Sequence, residues 1–561
     1  MKARKKLASL TLLCIAALSF AACSGDGDKE TTGTGEANTS GEEKLAAEQV
    51  ITIAAPQEVA SIDISTATDK LSFTVLNQLY EGFYRIDENN QIIPAGAAEL
   101  AEKSEDGLTY TIKLREDAKW TNGDSVVADD YVYGWQRTAD PETASEYAYL
   151  FESVKNGKDI VAGEKDPSEL GIEALSDYEV KITLDVATPY FDSLLAFPSF
   201  FPVNKKAVDE FGDKYASSSD TSYYNGPFVL EDFDGVGSDI DWTYVKNKDY
   251  WDADTVKMEK IKAQVVKEAS TGVNMYEGGE VDDVILTGEL AQQYRDNEDY
   301  VTDKEGRTIY LEFNQVSETI PFDNANLRKA ISLVVDNESI VENVIGDGST
   351  VATGLMPTNL SSNPDTGKDF TEETKAKKEF DEAKAKEYLE KAKKETGKDT
   401  FEFDILTDDN ESTKKIAEYL QGTFKDVLGI ETTVTAVTKP IRLDRTNKGD
   451  FDFVVTGWGA DYNDPSSFMD LFKTGNSYNR GKYSNTAYDK LIEEAATTNA
   501  TNPEARWQNF LDAEEILIND DAAVVPVYQM AEGHLRNPKL KGMIAHTAGA
   551  SYEYKYMYLL E

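Results

Sequence analysis

The segment Gly457-Trp458-Gly459-Ala460-Asp461-Tyr462-Asn463-Asp464-Pro465 sets a carboxylate three residues after an indole and flanks the indole with glycine. These residue types suit binding better than reaction. An aromatic face and one carboxylate fit a ligand with an extended backbone and a single positive charge. The glycines let another backbone come close. The apolar run from Phe451 to Val455 reads as a buried strand, which sets Trp458 and Asp461 just past its end. A purely structural account fits the same residues: Trp458 packs in the core and Asp461 caps a turn. Tyr147 is a second candidate. It lies in a turn-rich stretch from Ala139 to Ala148, which can hold a side chain at a cleft. Its structural alternative is a tyrosine packed under a loop.

Most catalytic chemistry lacks its residues. Histidine occurs twice, as His534 and His546, and no Cys or His cluster has metal-ligand spacing. No G-x-S-x-G, Walker-type or G-x-G-x-x-G motif occurs. Acids are plentiful, but nothing singles out a carboxylate pair for glycoside hydrolysis. Counting alone leaves such a pair open, while the residues point to no metal or cofactor and offer aromatic and polar groups near strand ends and turns.

The elements that must position these residues alternate between strand and helix. Strands are predicted at Ile51–Ala55, Leu108–Leu114, Tyr178–Leu184, Phe228–Leu230, Thr308–Phe313, Thr432–Val437 and Ala523–Tyr528. Helices are predicted at Leu71–Tyr80, Ala128–Arg137, Asn326–Val335, Ile340–Ile345 and Arg506–Ile518. Another, carrying Ile416, Leu420, Phe424 and Val427, stops at Gly429. The Glu- and Lys-rich run Thr371–Lys394 reads as one solvated helix with Phe380, Tyr388 and Leu389 on one side. This is a mixed α/β pattern in more than one lobe.

The start of the chain is an export signal. Lys2, Arg4, Lys5 and Lys6 precede an apolar stretch from Leu7 to Phe20, too short for a membrane span of about 20 residues. Ala21-Ala22-Cys23 follows and resembles a bacterial lipoprotein lipobox, although Phe20 stands where that motif usually has Leu. Cleavage before Cys23 and lipidation of its thiol are expected. Of two cysteines, Cys14 lies inside the signal, so the mature chain has no internal disulfide. A lipoprotein's acyl chains supply stable attachment. Residues from Ser24 to about Lys44 are polar and cannot build a core, and a flexible tether is expected over residues 23–48. The body beyond them exceeds one core, which stops growing at about 250–300 residues, so two or three domains are expected. A formal charge of −46 argues against nucleic acid as a partner.

Several segments together resemble a known family. They include Tyr80-Glu81-Gly82, Leu114 to Trp120, Asp130 to Arg137, Ala139 to Ala148, Asn225-Gly226-Pro227, Asn247 to Trp251, Gly457 to Pro465, and Val525 to Tyr528. In this order they resemble the oligopeptide-binding proteins of ABC importers, family 5 of the solute-binding proteins. The resemblance implies a three-domain α/β fold of the periplasmic-binding-protein type (type II, cluster C), with two lobes closing on a cleft by hinge motion. Domain I would comprise residues 49–80, 205–304 and 529–561. Domain II would be residues 81–204, and domain III residues 305–528.

The same resemblance implies roles. Asp461 would pair with a peptide's α-ammonium. Gly457, Trp458 and Gly459 would hydrogen-bond the peptide as an added strand, and Thr68, Asp69 and Lys70 would form the strand on its other side. Trp458 and Tyr147 would wall side-chain pockets, and Glu312 would stand beside another. Members that favour short peptides meet the C-terminal carboxylate with basic residues. The matching positions here are Ile345, Thr413 and Val455, so longer or variable peptides are expected.

Implied partners are oligopeptides, an ABC permease with its ATPase subunits, and the membrane through the lipid anchor. A monomer is expected at the outer face of the cytoplasmic membrane of a Gram-positive cell. A signalling-peptide receptor on the same import system is the alternative, as is a family relative binding a nickel chelate, haem or a sugar. An adhesin or folding helper is a further class.

Overall fold

The computed structural model describes residues Lys44–Glu561. The export signal, Cys23 and the tether up to residue 43 lie outside them. The expected tether runs too far, because its last residues join the folded body. Ala46 N–H donates to the Leu559 carbonyl at 2.8 Å, Leu45 bridges Leu560, and Lys44 pairs with Glu561. The C-terminal backbone offers hydrogen-bonding groups there, and satisfying them outweighs the polar composition.

Strands β1 (Val50–Ala55), β2 (Glu102–Lys103), β3 (Thr109–Lys113), β4 (Ile172–Ser176) and β5 (Glu179–Thr183) come first. Then follow β6 (Phe228–Glu231), β7 (Asp241–Lys246), β8 (Lys260–Val265), β9 (Asp283–Leu286) and β10 (Tyr300–Phe313). The last are β11 (Glu402–Asp408), β12 (Glu431–Val437), β13 (Phe453–Gly459) and β14 (Val524–Arg536). Strands β2 to β5 form a four-stranded antiparallel sheet in the order β2-β3-β5-β4. The others join, with Thr350–Val351, into an eleven-stranded mixed sheet ordered β12-β11-β13-β10-β14-β9-β1-β8-β7-β6. The expected α/β class is the observed one.

Two large cores flank the middle of this sheet. One gathers Ile51, Leu76, Phe83, Trp135, Trp242 and Met557, and the other Leu311, Phe313, Ile331, Phe403, Leu420 and Val455. Strands β10 and β14 supply Leu311, Phe313, Val525 and Val527 to the second core. Their pairing shifts register between Lys304 and Thr308, and again between Ile309 and Tyr310. An irregular ladder bends more easily than a regular one.

Helix α1 (Lys70–Leu79) is buried along most of its length and starts at a cap. The Asp69 carboxylate accepts from the N–H groups of Leu71 and Ser72 at 3.1 and 3.0 Å. Beyond α1, the Asn225 side chain bonds the Glu81 backbone on both sides, accepting from N–H at 3.1 Å and donating to the carbonyl at 3.0 Å. Two segments far apart in sequence are locked together in this way.

Three predicted elements differ from the observed ones. The run Thr371–Lys394 is not one helix. Phe370–Glu373 ends at Thr374, and Glu382–Thr396 starts anew with Asp381 capping Lys384 N–H at 2.9 Å. Between them Thr374 Oγ1 donates to the buried Glu514 at 2.6 Å, and Lys378 reaches the Val335 carbonyl. Those tertiary bonds pull the chain out of the helix, and Phe380 is left exposed. The strand at Phe451 begins at Phe453 and continues through Gly459, so Trp458 lies inside β13. Thr68, Asp69 and Lys70 are no strand; they are the lead-in, cap and first residue of α1.

Candidate functional site

Strand β13 carries the site. It pairs antiparallel with β10 along its length, Gly457 opposite Ile309, Trp458 opposite Thr308 and Gly459 opposite Arg307. On its other edge it meets β11 only at Phe453 and Val454. From Val455 to Gly459 that edge carries no strand among the described residues. Gly457 lies close to its partner strand: a Cβ there would meet the end of the Ile309 side chain, which would have to shift.

Asp461 follows two residues after the strand. Its N–H donates to Ser467 Oγ at 3.1 Å, which fixes the backbone, and Ala460 N–H donates to the Gly306 carbonyl at 2.8 Å. The carboxylate itself has no hydrogen-bond or ion-pair partner among the described residues. Asp461 is exposed to solvent at its surface. The cleft walls still crowd it, and this burial pushes the carboxyl up to about 6. Tyr147 and Tyr149 face it: both hydroxyls are raised, first by burial and next by the Asp461 charge. Tyr147 stands edge-on to Phe73 at 5.2 Å and stacks on Phe197 at 5.5 Å.

A cavity of about 160 Å³ collects these groups. Thr68, Lys70, Tyr147, Gly459 and Asp461 line it together, although they come from three separated stretches of sequence. Lys70 is paired across it with Glu305 at 2.7 Å. The other candidates stand elsewhere. Trp458 turns away and meets Tyr478 edge-on at 4.8 Å, with its indole N–H buried and unpartnered. Glu312 is buried within β10; one oxygen accepts from Gly481 N–H at 2.7 Å, the other has no partner, and burial pushes the carboxyl up to about 7. Neither residue lines the Asp461 cavity. Ile345 and Val455 are core residues, and Thr413 is buried with its hydroxyl donating to the Asp408 carbonyl at 3.0 Å.

The sequence reading missed most of the far wall. Arg307, Glu532, His546 and Thr547 also line the cavity. His546 was noted only as one of two histidines, and its Nδ1 is buried without a partner. The charged run Asp303 to Arg307 before a predicted strand was the one local signal available. The C-terminal segment carried none.

The match to known proteins spans nearly the whole body. A model described as "Bacterial extracellular solute-binding proteins, family 5 Middle" matches residues 91–480. The chain belongs to that family. A family relative named dipeptide-binding protein, from Lactococcus lactis subsp. cremoris, is 35% identical over 92% of this chain and 95% of its own length. The peptide-bound structure of Listeria monocytogenes OppA is 41% identical, covers 92% of this chain and 100% of its own, and superposes with a TM-score of 0.68. The unliganded open form of the murein tripeptide-binding protein MppA is 28% identical, covers 92% of this chain and 99% of its own, and superposes with a TM-score of 0.81.

Proposed function

We propose that this chain is a receptor that captures peptides in the cleft and delivers them to an ABC importer, performing no chemistry of its own. One observation carries the reading: the Asp461 carboxylate stands unpartnered and crowded at the mouth of a cavity, immediately past a strand with an open edge. A peptide supplies what both lack. Its α-ammonium pairs with Asp461 in a partly desolvated setting, where a charge-assisted hydrogen bond is strong. Its backbone adds as a strand along the open edge of Val455–Gly459, which explains tolerance of many sequences, since main chain is common to all peptides. The peptide names of the relatives support the same ligand class.

The proposal includes closure of one lobe on the other. Residues 49–80, 205–304 and 529–561 act as one lobe, 81–204 as an appended domain and 305–528 as the opposing lobe. The register shifts in β10 and β14 are the hinge. Tyr147 and the Thr68–Lys70 segment approach Asp461 from the facing side. Because Ile345, Thr413 and Val455 offer no cation, the peptide C-terminus is not fixed at those positions. The chain is held at the outer face of the membrane by lipid on Cys23.

The test has two parts. Small molecules released on denaturing the purified chain are identified by mass spectrometry. Tetraalanine and N-acetyl-tetraalanine are then titrated against the wild type and Asp461→Ala. Copurified peptides with free N-termini, and loss of tetraalanine binding in D461A, are expected. A sugar or metal chelate as the released species, or full affinity in D461A, would overturn the proposal.

A further inference from the structure

A second cavity adjoins the first. It has a volume of about 350 Å³, more than twice that around Asp461, and shares Lys70, Glu532, Ser551 and Tyr552 with it as a common wall. The chamber lies between the first turn of α1, the strands β1, β7, β9 and β14, and the C-terminal segment. Nothing in the peptide reading uses it.

Its walls are aromatic. Trp242, Tyr244, Tyr552 and Tyr554 all face it. Tyr244 and Tyr554 meet edge-on at 5.9 Å, and Tyr552 lies nearly parallel to Tyr554 at 6.5 Å. Charged groups are present but already satisfied. Asp283 accepts from Arg536 Nε at 2.6 Å and is bonded to His534 Nδ1 at 3.0 Å. His534 Nε2 is bonded to the Tyr552 hydroxyl at 3.0 Å, which lies 3.2 Å from Glu532. Lys70 is taken by Glu305. With these charged groups paired among themselves, ring faces and aliphatic carbon are the larger part of the surface left to a guest.

Size and lining together decide the guest. An apolar cavity of about 150 Å³ is enough to bind benzene. A chamber this large, walled by rings that favour offset or edge-on neighbours, fits a phenyl or indole group. Its continuity with the cleft means that group can belong to a molecule anchored at Asp461. We propose that this chamber is a specificity pocket for one bulky aromatic side chain of the bound peptide. The assignment rests on the peptide reading of the cleft and narrows it, from any peptide to those carrying an aromatic residue at one set distance from the N-terminus.

The experiment is a phenylalanine scan by isothermal titration: tetraalanine against the four tetrapeptides with Phe at each position. The expected result is a gain of tenfold or more at one position and near-equality at the others. Two variants then test the place of binding. Leu71→Trp fills the chamber from the first turn of α1, and Met543→Trp fills it from the C-terminal segment; both positions are only partly buried. Either should abolish the phenylalanine preference. Trp242→Phe supplies a separate readout: the Phe peptide, unlike tetraalanine, should shift tryptophan emission, and W242F should remove that shift. A flat scan in a wild type that binds tetraalanine overturns the chamber and leaves the cleft reading standing. So does a preference that survives in both filled variants. Failure of every peptide to bind the wild type overturns both.

Discussion

Asp461 and Asp464 are the same residue type, three positions apart on one turn, in opposite surroundings. The Asp464 carboxylate is held by both terminal nitrogens of Arg506, at 2.7 and 2.6 Å, and caps Ser466 N–H at 2.9 Å. Burial alone would raise its carboxyl; the Arg506 guanidinium more than offsets that and holds it below the usual carboxylate range. Asp461 has neither partner, and burial alone sets its direction, upward. One aspartate is finished as structure and the other is left incomplete. An incomplete carboxylate in a crowded cleft is costly to keep, and a bound cation removes the cost. The contrast teaches that a ligand site is marked less by residue type than by what the fold withholds from it.

The sharpest way to break the comparison is Arg506→Met. It strands a buried charge at Asp464, and the expected loss of stability is about 3–5 kcal/mol by chemical denaturation. An unchanged midpoint would mean that the pair is not structural. The matching change at the other site, Asp461→Asn, should leave stability the same or slightly higher. It should weaken a free-amine peptide by roughly 2–5 kcal/mol, the range for truncating one partner of a desolvated ion pair. A large drop in melting temperature would erase the distinction drawn between the two aspartates.

Proton competition sharpens it further. The free carboxyl of Asp461 titrates at about 6. Pairing with an ammonium favours the charged form, so the bound complex titrates lower. Ligand affinity is then full above about pH 7 and falls towards about tenfold per unit below pH 6, where one proton must be lost on binding. The slope should be missing in D461N. Asp464, already charged well below this range, contributes nothing to it. The smallest effect belongs to Asp69. As a helix cap it should cost about 1 kcal/mol of stability in Asp69→Ala. A role as a peptide-pairing strand would instead alter affinity at unchanged stability.

Periodicity exposed most elements because it depends on neighbours only. Ile51, Ile53 and Ala55 alternate along β1, and Ile416, Leu420 and Phe424 line one helical face; both elements are present. It failed where distant bonds intervened. The break at Thr374 depends on Glu514, and the ordering of Lys44 to Ala46 depends on the last residues of the chain. The cap at Asp69 was locally readable, since Asp before an apolar helix is a start signal, but family likeness to a pairing strand overrode it.

The sequence by itself determined the α/β class, the absence of a motif for catalysis, and the Gly-Trp-Gly-Ala-Asp segment as the place to look. These follow from residue types and short spacings. Only the tertiary structure decided which carboxylate is available. Asp461 and Asp464 share a turn, and nothing local distinguishes them; the guanidinium that claims one arrives from residue 506. Trp458 and Glu312 likewise point away from the Asp461 cavity because of their strand register, while residues 545–552 enter it from the far end of the chain. Register and long-range packing fix direction, and direction is what separates a wall from a ligand contact.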